Sequence, residues 1–226
     1  MYIPKHFQEN DWLEIRKLIE HNSLATVVSC EAGIPVATHV PLRLVELSPG
    51  KFILQGHFAR NNPHWRVLEL AEKEEKASAE KALGAKTLVI FSGPDCYISP
   101  RWYESTNVPT WNYMSVHIYG KPRLLLDAGE LHQMMKGLVD QYEGGVDEAE
   151  RYRMENLPAE YLENQLRAIV GFEISVDEVK CSFKLSQNRN QRDHENVVKE
   201  LTKSDNADER AIANAMTAQR KREKAS

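Results

Sequence analysis

Apolar side chains recur at helical spacing in Trp12, Ile15, Leu18 and Ile19, directly after Asp11, with Glu14 placed to complete a capping box. A helix is predicted there, closing near Asn22. The period then changes: LATVVS (Leu24 to Ser29) reads as a strand, EAGIP as a turn, and VATHVPLRLVEL as one or two strands interrupted at Pro41. After the Ser48-Pro49-Gly50 turn, Phe52, Leu54 and Phe58 alternate with Ile53, Gln55 and His57, the pattern of a strand whose faces are used differently. Asn62-Pro63 opens a second helix, because Asn caps a free N–H and Pro is tolerated at the first helical position.

That helix is expected to extend through AEKEEKASAEKALGAK as a solvated face, with Glu69–Lys73 and Glu72–Lys76 at i,i+4 spacing. KTLVIFS (Lys86 to Ser92) is a buried strand, Gly93-Pro94-Asp95 a turn, and Cys96 to Ser99 a short strand. Trp111 to Tyr119 and Lys121 to Leu126 form a strand pair bent at Gly120-Pro122. Asp127 and Glu130 cap a helix that turns Leu131, Met134, Met135, Leu138 and Tyr142 inward, and a polar connection leads through a short helix to AIVGFEISVDEV, the last strand. From Asn190 the chain is polar and helical, ending in a charged tail that is expected to fray. The pattern predicts an α+β chain, with one domain over residues 1–190 and a polar helical C-terminal extension over 191–226.

Composition narrows the class. With 42% hydrophobic and 27% charged residues in 226, the chain can bury a core and is not a disordered or collagen-like polymer. No apolar run reaches the roughly 18 residues of a membrane span, and MYIPKHFQEN lacks the apolar stretch of a secretory signal, so a cytoplasmic protein without a membrane partner is expected. Cys30, Cys96 and Cys181 are odd in number and widely spaced, which fits inert thiols better than a disulfide framework or structural zinc. A net charge of −4 argues against wrapping nucleic acid over the whole surface, so any DNA contact would be local.

Three segments carry candidate chemistry. In LQGHFARNNPHW, His57, Arg60, Asn61 and Asn62 sit at a strand-to-helix turn, where free N–H groups, the helix dipole and a guanidinium suit a phosphate; equally, the asparagines cap and Arg60 pairs with a carboxylate. In SPRWYESTNVPTWNY, Trp102, Tyr103, Trp111 and Tyr113 lie beside Asn112 and small polar groups. They form either a platform for a flat heteroaromatic ring or a plug at a barrel end. In KLSQNR, Lys184, Ser186, Gln187 and Asn188 offer hydrogen bonds to a ligand or simply make a surface loop. His39, His57, His64 and His117 match no metal motif, and neither GxSxG nor a P-loop occurs, so no metal site is expected.

Taken in order, MYIPKHF, THVPL, GHFARNNPHW, VIFSGPDCYISPRWY, VPTWNY, AIVGFEI and KLSQNR resemble the PaiB family of bacterial FMN-binding negative transcriptional regulators, over roughly residues 1 to 200. Two features depart from the family pattern: a longer stretch from about Glu72 to Gly84, and a short SPRWYEST loop without a lysine. The resemblance implies an antiparallel split β-barrel with peripheral helices, of the pyridoxamine-phosphate-oxidase-like type, working as a homodimer with FMN at the shared interface. It gives the FMN phosphate to His57, Arg60, Asn61 and Asn62. Trp111, Asn112 and Tyr113 become ring or ribityl neighbours, with Lys184, Ser186, Gln187 and Asn188 as further contacts. The implied role is repression of protease-synthesis and sporulation genes, acting on promoter DNA or through another regulatory protein. No helix-turn-helix is evident, and the basic run Arg220 to Lys224 reads as a solvated helix end or as a DNA arm. A flavin-dependent oxidoreductase, in which FMN carries the redox chemistry, and a non-catalytic small-molecule or haem sensor remain open.

Overall fold

The computed structural model describes residues 1–77 and 86–225, in two compact units. A central unit comprises residues 23–90 and 118–179; a terminal unit comprises 1–22, 91–117 and 180–226. Part of the expected solvated helix, residues 78–85, lies outside the described residues.

In the central unit, β1 (Leu24–Glu31) and β2 (Ile34–Pro41) form an antiparallel hairpin from Leu24↔Pro41 to Glu31↔Ile34. Its two-residue turn has φ of 49° at Ala32 and 83° at Gly33, the positive pair that matches the natural strand twist. The other edge of β1 takes the first part of β5 (Thr87–Ile98), with Thr26 opposite Ile90. Pro41 ends β2 and cannot continue a ladder; Leu42 is buried, gives its N–H to Ser23 O (2.8 Å), and leads into a second sheet. That sheet runs β3 (Arg43–Ser48), β4 (Lys51–Ala59), β8 (Ile169–Ser175), β7 (Pro122–Leu125), all antiparallel where paired. Leu54, Phe58, Phe172 and Ile174 fill its inner face, Phe58 stacking on Phe172 with centroids 4.6 Å apart. Each such ring contributes about 1.5–3 kcal/mol by burial.

Three helices complete this unit: α2 (His64–Ala77), α3 (Ala128–Glu143) and α4 (Ala159–Arg167). The Asp127 carboxylate accepts from Gly129 N and Glu130 N at the start of α3, while Leu131, Met134 and Leu138 point inward. Tyr142, expected inward as well, is half exposed because its hydroxyl bonds Ser23 at the surface.

The terminal unit carries α1 (Trp12–His21), the second part of β5, the first part of β6 (Thr110–Gly120), and β9 (Glu178–Lys184) from Lys180 on. It closes with α5 (Gln191–Thr202) and α6 (Ala207–Ala225). Asp11 caps α1 through Leu13 N (2.9 Å), but Glu14 does not reciprocate; it pairs with Lys17 and Arg222. The turn expected at Gly93-Pro94-Asp95 is absent, and β5 runs straight through it. Gly93 packs so closely that a Cβ would meet Leu18 Cδ1 at 2.5 Å, and Pro94 lies beyond the β1 register, where its missing N–H costs no bond in that ladder. The single strand expected over 168–179 is two, because at the break Val176 N and Asp177 N bond Phe52 O and Tyr119 O. The segment from Gln191 to Ala225 forms two helices, and Val197, Leu201, Ile212 and Met216 are buried. The charged tail is held by Arg222, which reaches Glu9 and Glu14 at 2.8 Å each.

Candidate functional site

His57, Arg60, Asn61 and Asn62 come together at the corner between β4 and α2 in the central unit. The chain turns there because Asn62 N bonds Ala59 O (2.9 Å) and Asn62 Oδ1 accepts from His64 N (3.0 Å), the cap expected from Asn-Pro. Arg60 is tethered rather than ion-paired: Nε donates to Arg167 O (2.6 Å) and Nη2 to Ile169 O (2.9 Å). Its Nη1 has no hydrogen-bond partner among the described residues, and the side chain is exposed. Arg60 and Arg167 border a cavity of about 290 Å³ with Leu126, Leu131, Leu166 and Glu163. Asn61 is exposed.

Two imidazoles lie behind this corner. His64 is fully buried, stacked on Phe58 (5.0 Å), with Nδ1 bonded to Thr38 Oγ1 (2.8 Å) and Nε2 without a partner. His57 also has a buried Nδ1 with no partner among the described residues. Burial lowers the pKa of both, so each is a neutral hydrogen-bonding group near neutrality. An exposed guanidinium at a capped helix start suits an anionic or phosphate-bearing ligand, and the orphan imidazole nitrogen behind it adds hydrogen-bonding capacity.

The remaining expected residues lie in the terminal unit. Strand alternation turns Trp111 outward, 54% exposed, where it meets Tyr97 of β5 edge-on at 6.1 Å. Asn112 points the other way and is fully buried, its amide donating to Ser186 Oγ (3.0 Å) and approaching Met216 Sδ (3.5 Å). Tyr113 is half-buried, its hydroxyl accepting from Ser182 Oγ at 3.5 Å. Lys184 donates to Thr110 Oγ1, and desolvation followed by Arg189 lowers its pKa. Ser186 holds a left-handed φ of 60°, and Gln187 folds back on its own turn, bonding Phe183 O (2.5 Å) and Leu185 N (2.7 Å). Asn188 is exposed. The polar atoms of Asn112, Ser186 and Gln187 therefore serve the protein, while Trp111, Tyr97 and Asn188 face outward.

One residue escaped the sequence reading. Asp193, buried at the start of α5, accepts from Glu104 N (2.8 Å), Ser105 Oγ (2.5 Å) and Asn190 Nδ2 (2.9 Å). These bonds, that of Ser105 first, hold its carboxyl below the usual range despite the opposing effect of burial. The available signal was Asn190-x-x-Asp193, a reciprocal cap in which Asn190 Oδ1 also accepts from Asp193 N (2.9 Å).

Two antiparallel sheets with accompanying helices define a split-barrel protein of the α+β class, as the resemblance implied. The fold is shared with the flavocytochrome Anf3 of Azotobacter vinelandii, at 17% identity, TM-score 0.58, covering 86% of this chain and 78% of that one. It is also shared with an FAD and heme binding protein of Mycobacterium smegmatis, at 20% identity and TM-score 0.55, covering 78% and 73%. The chain belongs to the PaiB family, its residues 1–178 matching the family model described as "Putative FMN-binding domain". It is 38% identical over 216 residues, 96% of each chain, to the protease synthase and sporulation protein PAI 2 of Bacillus subtilis (strain 168).

Proposed function

We propose that this protein binds FMN and acts as a PaiB-like regulator, as a cytoplasmic homodimer. The observation that carries the reading is the β4–α2 corner, where Arg60 keeps a guanidinium nitrogen with no partner among the described residues, close in sequence to a capped helix start and to His57. In this reading Arg60, Asn61 and Asn62 hold the phosphate end, with His57 as a further hydrogen-bonding group. The family resemblance gives the ring and ribityl parts to Trp111 and Tyr113, with Lys184 and Asn188. Asn112 and Ser186 bond each other, and Gln187 bonds its own turn. When bound, FMN supplies one- and two-electron redox chemistry; the protein orients it and tunes it by stacking and hydrogen bonds.

The likeness to the Bacillus sporulation protein supports a regulatory role. The basic run Arg220 to Lys224 is only partly available to DNA, since Arg222 is paired with Glu9 and Glu14, and Arg220 with Glu223. Promoter contact would then be local, or the effect would pass through another regulatory protein.

The visible spectrum of the purified protein before and after FMN addition tests the cofactor. Wild type is expected to take up flavin, and Arg60→Ala to bind it at least about tenfold more weakly, the loss of a charged hydrogen bond. A colourless wild type that stays colourless with added FMN defeats the reading. Bleaching by NAD(P)H would move the protein to the oxidoreductase class. A promoter retardation assay with no sequence preference at moderate salt would remove direct repression.

A further inference from the structure

Within the terminal unit, α5 and α6 line an open cavity of about 350 Å³, within the usual size of a small-ligand pocket. His194, Val198 and Lys199 line it from α5, and Arg220, Lys221 and Lys224 from α6. Four cations thus face a single lining carboxylate, Glu195. Arg220 is occupied, bonding Glu223 and Arg189 O, but Lys199, Lys221 and Lys224 are exposed and have no ion-pair partner among the described residues. Cations in excess of the carboxylates around them favour an arriving anion.

His194 is the second, independent observation. It is 4% exposed, lines the cavity, and carries an Nε2 with no hydrogen-bond partner among the described residues. A buried imidazole nitrogen is ordinarily satisfied, so an unpaired one on a residue that lines a cavity marks spare hydrogen-bonding capacity at its wall. Burial, then Arg220, lowers the His194 pKa, so the ring is neutral near neutrality and binds by hydrogen bonding. The adjoining Asp193 anchors this end of α5 through Glu104 and Ser105, which holds the imidazole in place. Val198 adds apolar wall, a poor match for a bare inorganic ion.

We propose that the α5–α6 cavity binds a small organic phosphate monoester, its dianionic head among Lys199, Lys221 and Lys224 and hydrogen-bonded to His194, its apolar body against Val198. The proposal is independent of the flavin reading, because none of these residues belongs to the β4–α2 corner or to the aromatic face.

Phenyl phosphate is the probe, titrated calorimetrically into the full-length protein beside inorganic phosphate and benzyl alcohol. Phenyl phosphate is expected to bind saturably, at least about tenfold more tightly than either comparison, and to weaken as salt rises. The double variant Lys221→Glu/Lys224→Glu changes only exposed positions and is expected to lose at least about tenfold in affinity. Histidine-selective nitrogen NMR, assigned with His194→Gln, should show the His194 ring nitrogen signals moving with saturation. The proposal is overturned by unchanged affinity in the double variant, by equal binding of inorganic phosphate, by absence of saturable binding, or by a His194 signal that stays still at saturation.

Discussion

Gly120 occupies a position no side chain fits: a Cβ there would lie 1.6 Å from Ser175 O and 2.7 Å from Ser175 C, both rigid backbone atoms. Gly56 is similarly confined, but its closest approach, 2.4 Å, is to the Leu42 side chain, which can shift. Gly120→Ala is therefore expected to lose about 3 kcal/mol or more in urea unfolding and Gly56→Ala about 1–3 kcal/mol; equal, small losses would show that the backbone yields freely at 120. Neither constraint was legible in the sequence, where Gly120 read only as a bend before Pro122. Arg60 was legible as a cation at a helix start, since Asn-Pro caps by local geometry. Its tether to the carbonyls of Arg167 and Ile169 was not, because those acceptors are more than a hundred residues away.

Helices with local caps were the most readable elements. Asp11, Asn62 and Asp127 each accept from a backbone N–H two residues on, a bond that depends on nothing distant. Strand ends were less readable: Pro94 sits inside β5, and β8 and β9 divide where Phe52 O and Tyr119 O take the backbone donors. The segment around residues 103–105 depends on α5, since Asp193 supplies the acceptors for Glu104 N and Ser105 Oγ. Asp193→Ala should accelerate amide hydrogen exchange at Glu104 while leaving α1 protected; unchanged exchange at Glu104 would mean that the loop holds itself. That dependence joins residues 88 and 89 positions apart, beyond the reach of any local pattern.

For the molecule as a whole, His57, His64, His117 and His194 all have pKa values lowered by burial. Between the lowered folded values and the ordinary one near 6.5, the unfolded chain binds protons that the folded chain refuses, so stability rises with pH through that window. Unfolding free energy should be level in this respect above about pH 6.5 and fall progressively below it, with the lowered Asp193 extending the loss into the carboxylate range. Urea denaturation from about pH 8 to 5 checks this, and a flat profile would show that the four rings charge without penalty. The sequence by itself determined the helices that carry their own caps, the strands with a clear period, the family, and the basic corner before α2, because each rests on neighbours a few residues apart or on ordered motifs. Only the tertiary structure decided that Asn112 turns inward while Trp111 turns out, that Asp193 secures a distant loop, and that cations of α5 and α6 face one cavity. Such outcomes depend on which surfaces are packed against each other, and packing joins residues whose separation along the chain carries no local signal.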